Sequence, residues 1–338
     1  MAIDPRFYTS TGAATLEDWA KATGARLVGD PSIAVTGVGA AQSAIAGDVC
    51  FFEGDAKDLA SISRVAAACV IGADLAGDLP SGVAALVSET PRRAHMKGAA
   101  LFFALKRIGQ QEGAVHSSAA IHDTAELAPG VVIGAGAAIG ARTVIGANTV
   151  IGPGVQIGEA CTVGSNASIQ CALIGNHVTL LSGIRIGETG FGVIPGEHGA
   201  EDIPHYGRVI IQDHVSIGAN TCVDRGAFDD TAIGERTKID NCCQIAHNCQ
   251  IGRNVVIAAF AGISGSVTIK DGARLGGRVG IADHVTMGRG STLAASAGIF
   301  RDIPDGETWG GTPGKPIRQW LRETAWLQKQ ASGKKTPS

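Results

Sequence analysis

The chain has 338 residues, a net charge of −3 and a pI near 6.3; that is enough for two domains and a sizeable core, without the basic excess that nucleic-acid binding usually brings. Glycine is abundant at 48 residues while aromatics reach only 4%, which favours a tightly turning architecture with small side chains inside. No run of 18 apolar residues is present to span a bilayer, the opening MAIDPRFYTS lacks a basic segment followed by an apolar run, and the eight cysteines form no CxxC pair, so a cytoplasmic protein with reduced thiols is expected.

Residues 1–110 read as a small α/β domain. TLEDWAKATG is a capped helix, with Thr15 and Asp18 as the capping box and Gly24 as the stop. AACVIGAD and VAALVSET read as strands. PRRAHMKGAALFFALK reads as a helix with Pro91 in its first turn.

Residues 111–305 keep a six-residue period. From Val115 an aliphatic residue returns at Ile121, Leu127, Ile133, Ile139, Ile145, Ile151, Ile157, Val163 and Ile169; a second run extends from Ile233 to Ile299, with Ile211, Ile217 and Val223 in step between them. This period fits neither an amphipathic helix nor one alternating strand. It fits a parallel β-helix in which three hexads make one triangular coil. The aliphatic residue points inward. So does the small residue four places later, among them Val131, Ala137, Thr143, Cys243 and Cys249. Glycine often follows the aliphatic residue directly, as at Gly134, Gly140 and Gly146, where it is expected to relax the backbone at the corner.

Two stretches break the period: 187–208, with Phe191, His205 and Tyr206, and 224–231, DRGAFDDT. Loops thrown out of a solenoid often build its binding surface. In residues 306–338, PIRQWLRETAWLQKQ reads as an amphipathic helix with Ile317, Trp320, Leu321 and Leu327 on one side, and ASGKKTPS as a loose tail.

The segment IDNCCQIAHNCQIG, 239–252, carries the candidate chemistry. Cys243 and Cys249 take inward slots and Cys242 faces out, so they do not converge on one ion, and no metal site is expected. His247 faces outward. One coil later stands Gly265, and two coils on the corresponding face carries His284, with Asn248, Ser266 and His284 as a neighbouring column. At a coil rise of roughly 4.8 Å the histidines lie on the order of 10 Å apart. A base at one end, a backbone N–H near Gly265 for an oxyanion, and a second histidine to position substrate would suit acyl transfer. Two solvated surface histidines are the plain alternative.

These residues, together with GGRVGIADH at 276–284, YGRVIIQDHVSIGANTCVDRGAFDDT at 206–231 and IPDGETWGGTPGKPIRQWLR at 303–322, resemble the UDP-3-O-acylglucosamine N-acyltransferases of lipid A assembly over nearly the whole chain. The resemblance implies a mainly β fold: a left-handed parallel β-helix with a small N-terminal uridine-binding α/β domain and a C-terminal helix. It implies transfer of a 3-hydroxyacyl chain from the 4'-phosphopantetheine thiol of acyl carrier protein to the 2-amino group of a UDP-sugar acylated at O3. It further implies that no cofactor is held and that the enzyme works as a homotrimer with sites between subunits.

His247 matches the general base of the family and Gly265 the backbone oxyanion donor. Substrate binding falls to His284, Asn248, Gln244 and Phe51, and Asp240 is a candidate to orient the imidazole. Arg301 matches a position near the pantetheine path. Arg301, Lys315, Arg318 and Arg322 suit an acidic carrier protein, or simply form a solvated helix face. One departure stands out: where the resemblance implies asparagine and tyrosine after Phe51, this chain has Gly54 and Lys57, so uridine is expected to be held differently or more weakly, or the sugar to be a variant such as a diamino sugar. At the far end of the acyl groove, Gly298 leaves room that Phe300 would close. A hexapeptide acetyltransferase using acetyl-CoA and a non-catalytic sugar-nucleotide-binding solenoid are the alternative functions.

Overall fold

The computed structural model describes residues 3–12, 14–109, 113–196, 199–311 and 314–333. From Val115 onward the chain winds as a three-faced parallel β-solenoid whose faces hold nine, ten and nine strands. Each strand pairs with the one three hexads later: Ile133 with Ile151, Ile245 with Ile263, Ile263 with Ile281. A two-residue strand cannot satisfy itself, so every coil depends on its neighbours for main-chain partners. From Ile133 onward the inward aliphatic residues are buried, as are Val131, Ala137, Thr143, Cys243 and Cys249 in the small slot, while in the first coil Val115 is exposed and Ile121 and Leu127 are half-buried. Thr143 is satisfied there by donating its hydroxyl to the Gly158 carbonyl at 2.8 Å.

The corner works differently from the expectation. Gly134, Gly140 and Gly146 are absent from the positive-φ residues. A Cβ on Gly140 would lie 2.5 Å from the carbonyl carbon of Gly158, and one on Gly146 would lie 2.6 Å from the Ser165 nitrogen. Glycine is required here because the next coil passes too close for a side chain. The left-handed residue stands two places further on: Asn148, Asn166, Asn248, Ser266 and His284 all have φ near +60°. Asparagine suits this conformation because its side chain bonds locally.

The two interruptions leave the solenoid without destroying its register. Ile174 pairs with Ile211, and Ile211 with Ile233, so the coils close beneath both insertions. The first insertion projects an antiparallel hairpin, Val193–Gly196 with Gly199–Asp202, then returns through His205 and Tyr206, which are buried.

The N-terminal region forms a five-stranded sheet ordered Arg26–Val28, Ala84–Val87, Ala68–Ile71, Asp48–Phe51, Gly37–Val38, with helices α1 (Leu16–Thr23) and α2 (Pro91–Phe102). The Thr15–Asp18 capping box and the left-handed Gly24 are both present. Helix α2 stops sooner than expected. Phe103–Leu105 becomes a strand paired with Tyr8–Ser10, because Phe103 is buried against Tyr206 and an edge strand satisfies its backbone there. The expected boundary at 110/111 lies outside the described residues.

This domain seats on the solenoid beside the insertions. Tyr8 donates its hydroxyl to the carbonyl of His205 at 3.1 Å, and Ser43 donates to Asp229 at 2.8 Å. Arg208 pairs with both Asp4 and Asp230. Phe51, His95 and Phe228 pack together, continuing through Tyr206 to Tyr8.

At the other end Thr308–Trp309 still adds to one solenoid face, past residue 305. Helix α3 (Ile317–Gly333) follows, with Ile317, Trp320, Leu321, Trp326 and Leu327 all exposed. It takes in the first residues expected as a loose tail; residues 334–338 lie outside the described residues.

Candidate active site

The corner after Ile245 and the two corners stacked on it form one wall. The Ser266 N–H donates to the His247 carbonyl at 2.9 Å, and the His284 N–H donates to the Gly265 carbonyl at 3.1 Å. This makes two adjoining columns, His247–Gly265–Asp283 and Asn248–Ser266–His284. Both histidines line two cavities. One, about 650 Å³, also includes Thr189, Phe191, Asp224, Gln244 and Gly265; the other, about 470 Å³, reaches Gln42, Phe51, Arg92 and Phe228 of the N-terminal domain and second insertion.

The His247 ring sits between two glycines. A Cβ on Gly265 would lie 2.6 Å from its Cε1 and 2.8 Å from its Nε2, and one on Gly190 would lie 2.7 Å from its Cδ2. Its Nδ1 lies 3.0 Å from the side-chain oxygen of Asn248. That oxygen also accepts the Ala227 N–H at 3.0 Å, which fixes which end of the amide faces the ring. Neutral His247 therefore carries its proton on Nδ1, leaving the Nε2 lone pair free. So Asn248 is engaged with the imidazole itself, a contact that its expected place in substrate binding did not include.

Asp240 does not orient the ring. Its carboxylate is exposed and accepts the Asn241 N–H at 2.7 Å. The physical reason is rotational: seven residues carry the chain round to the next corner of the triangle, so Asp240 and His247 occupy different edges.

The Gly265 N–H has no acceptor among the described residues. In some other coils the amide at the equivalent position is capped by a neighbouring side chain, Glu159 by Asn176, Arg253 by Asp271 and Arg289 by Asp305, whereas at Ala147, Ala259 and Gly277 it has no acceptor among the described residues, as at Gly265. An uncapped N–H beside the free imidazole nitrogen is a donor available to a ligand.

Two neighbours carried no site role in the sequence reading. His205 is buried, with its ring centroid 5.0 Å from that of His247 in an edge-on arrangement. Its Nδ1 donates to the Ile203 carbonyl at 2.7 Å, while its buried Nε2 has no hydrogen-bond partner. Burial, reinforced by His247, pushes its pKa down to about 4, so it stays neutral. Asp224 shares the larger cavity and accepts the Gln244 side-chain N–H at 2.8 Å. Burial pushes its carboxyl up to about 6. Both lie in the segments where the hexad count lapses, so periodicity gave them no direction.

Phe51 lies in the smaller cavity, with the Arg92 guanidinium 5.4 Å from its ring centroid. Gly54 and Lys57 line neither cavity. A Cβ on Gly54 would strike the Phe52 ring at 2.8 Å, and Lys57 is exposed and paired with Asp55 at 3.1 Å. Of the four basic residues near the C-terminus, Arg301 stacks on Trp309 at 5.2 Å, Lys315 pairs with Glu323, and Arg318 and Arg322 are exposed on α3. Phe300 is 85% exposed, and a Cβ on Gly298 would come within 3.5 Å of its ring.

The bacterial transferase hexapeptide model (six repeats) matches residues 142–172 and 230–265. The UDP-3-O-acylglucosamine N-acyltransferase of Caulobacter sp. (strain K31) is 50% identical, covering 98% of both chains; that of Methylobacterium sp. (strain 4-46) is 49% identical, covering 99% of this chain and 98% of the other. Among solved structures, a UDP-N-acetylglucosamine acyltransferase from Campylobacter jejuni aligns at 25% identity and a TM-score of 0.40, over 56% of this chain and 68% of that one. On the near-full-length identity to these curated relatives, the chain belongs to the UDP-3-O-acylglucosamine N-acyltransferase family.

Proposed function

We propose that this chain transfers a 3-hydroxyacyl group from the phosphopantetheine thioester of acyl carrier protein to the 2-amino group of a UDP-3-O-acyl-glucosamine-type sugar. The observation that carries this reading is the free Nε2 of His247 beside the uncapped N–H of Gly265, in a cavity wall shared with the Phe51 pocket. The sugar nitrogen attacks the thioester carbon, and the developing oxyanion accepts the Gly265 N–H. Nε2 of His247 takes the proton from the nitrogen as the tetrahedral intermediate forms, then delivers it to the departing thiolate. Asn248 keeps the imidazole in the productive tautomer. His284 and Gln244 border the acceptor, and Phe51 meets the uracil, with Arg92 on its ring in place of the family's asparagine and tyrosine contacts.

The exposed apolar face of α3 supports a homotrimer in which that face meets a neighbouring subunit. Arg301, Arg318 and Arg322 then present positive charge to an acidic carrier. A carrier-protein donor places the reaction in the cytoplasm, and no described helix is long and apolar enough to cross a membrane.

The test is mass spectrometry of products formed from candidate UDP-sugars and a ladder of hydroxyacyl carriers, with acetyl-CoA in parallel. Amide formation on the carrier-loaded acceptor is expected. His247→Ala should lose roughly 10²- to 10⁴-fold in turnover with the fold retained. Transfer from acetyl-CoA alone, or near-normal turnover in His247→Ala, would reject the reading.

A further inference from the structure

The reaction proposed above has a proton count that one imidazole does not meet. A sugar amine enters near neutral pH partly as R–NH3⁺. It must lose one proton to expose its lone pair and a second after attack. His247 holds one proton at a time on Nε2, and that proton is needed by the leaving thiolate.

Asp224 lies in the same cavity as His247, at the end of a strand paired with Gln244–Ile245, the strand that leads into the His247 corner. Its carboxylate accepts the Gln244 side-chain N–H and makes no ion pair with a lysine or arginine among the described residues. The adjacent Arg225 is buried, but its guanidinium donates to the carbonyls of His205 and Gly187. The other titratable groups around it are Glu188 on the preceding strand, Cys222 on its own strand, and His247 and Cys249 on the following coil. Asp283 and His284 line the far side of the cavity. A half-buried carboxylate with no ion-pair partner among the described residues is matched to a cationic ligand. Its elevated pKa also lets it exchange a proton near neutrality.

Resting on the N-acyltransferase reading, we propose that Asp224 binds the ammonium form of the acceptor and takes its first proton. The carboxylate and R–NH3⁺ become carboxylic acid and R–NH2. The nitrogen then forms its bond to the thioester carbon, and His247 removes the second proton. The C–S bond breaks, the thiolate takes that second proton, and Asp224 returns the first to solvent. The sum is R–NH3⁺ plus thioester giving amide, thiol and one H⁺.

The experiment is the pH profile of kcat/KM for Asp224→Asn against the unaltered enzyme, with amide product quantified by mass spectrometry. The deficit should be roughly 10- to 20-fold near pH 6.5, the inverse of the neutral fraction of an amine with a pKa near about 7.7, and shrink to within roughly threefold near pH 9, where the amine is already neutral. Asp224→Glu should recover most of the loss at low pH. Should Asp224→Asn fold poorly, Gln244→Ala serves instead. It removes a bond that stabilises the carboxylate, so the acidic limb should move to higher pH. A deficit equal at both ends of the profile, none at low pH, or an unmoved limb in Gln244→Ala overturns the role of Asp224 alone. Failure of the unaltered enzyme to acylate any UDP-amino sugar overturns both this role and the parent reading.

Discussion

Gly265→Ala separates the position of the base from its presence. The added Cβ would sit 2.6 Å from Cε1 and 2.8 Å from Nε2 of His247. Ordinary carbon contacts begin near about 3.5 Å, so the ring must retreat by roughly 0.9 Å. Gly265 is not among the positive-φ residues, so alanine imposes no left-handed strain. The retreat disturbs the 3.0 Å bond between Nδ1 and Asn248 and crowds the Gly265 N–H. A displacement near 1 Å at a reacting group costs on the order of 10²-fold. Gly265→Ala should therefore lose about 100-fold in kcat while melting within a few degrees of the parent. The assay is steady-state amide formation at saturating acceptor, alongside thermal melting. Activity within threefold of the parent at an unchanged melting temperature would refute the stacking of His247 on a bare peptide as a catalytic requirement.

Asn248→Gly keeps the left-handed corner, at φ +62°, while deleting the amide that holds Nδ1. Turnover should drop at least roughly 10-fold with little loss of stability, whereas Asn248→Ala should also lose about 1–2 kcal/mol from the backbone; chemical denaturation distinguishes them. His95 is fully buried, bonded through Nε2 to the Val49 carbonyl, and burial holds its pKa down to about 4. The unfolded chain binds a proton at about 6.5 that the folded chain refuses, so stability present above pH 6.5 is lost as pH falls towards 4. The amount is on the order of 3 kcal/mol. His95→Gln should flatten that dependence in urea titrations between pH 7.5 and 5. Gly298→Leu should shorten the longest acyl chain accepted and Phe300→Ala should lengthen it, read from the carrier ladder; unchanged preference in both would place the chain terminus elsewhere.

The hexad period determined the solenoid from sequence because each coil repeats the same demand, an aliphatic residue inside and a small residue four places on, with glycine at those corners where the next coil presses close. It also aligned His247, Gly265 and the His284 corner, since eighteen residues make one turn and fix a vertical neighbour. The same rule put Asp240 out of reach. What the period does not describe is anything off the repeat. Gly190, His205 and Asp224 belong to the two insertions, and Phe51 and Arg92 to a separate domain. Their approach to His247 depends on how the insertions fold back and where Tyr8 and Ser43 anchor the N-terminal sheet. Side-chain partnership was equally hidden. A sequence shows Asn248 next to His247, but only the Ala227 N–H, delivered by an insertion from the preceding coil, determines which end of that amide meets the ring. Local periodic contacts can be counted along a chain; long-range ones exist only once the chain has closed on itself.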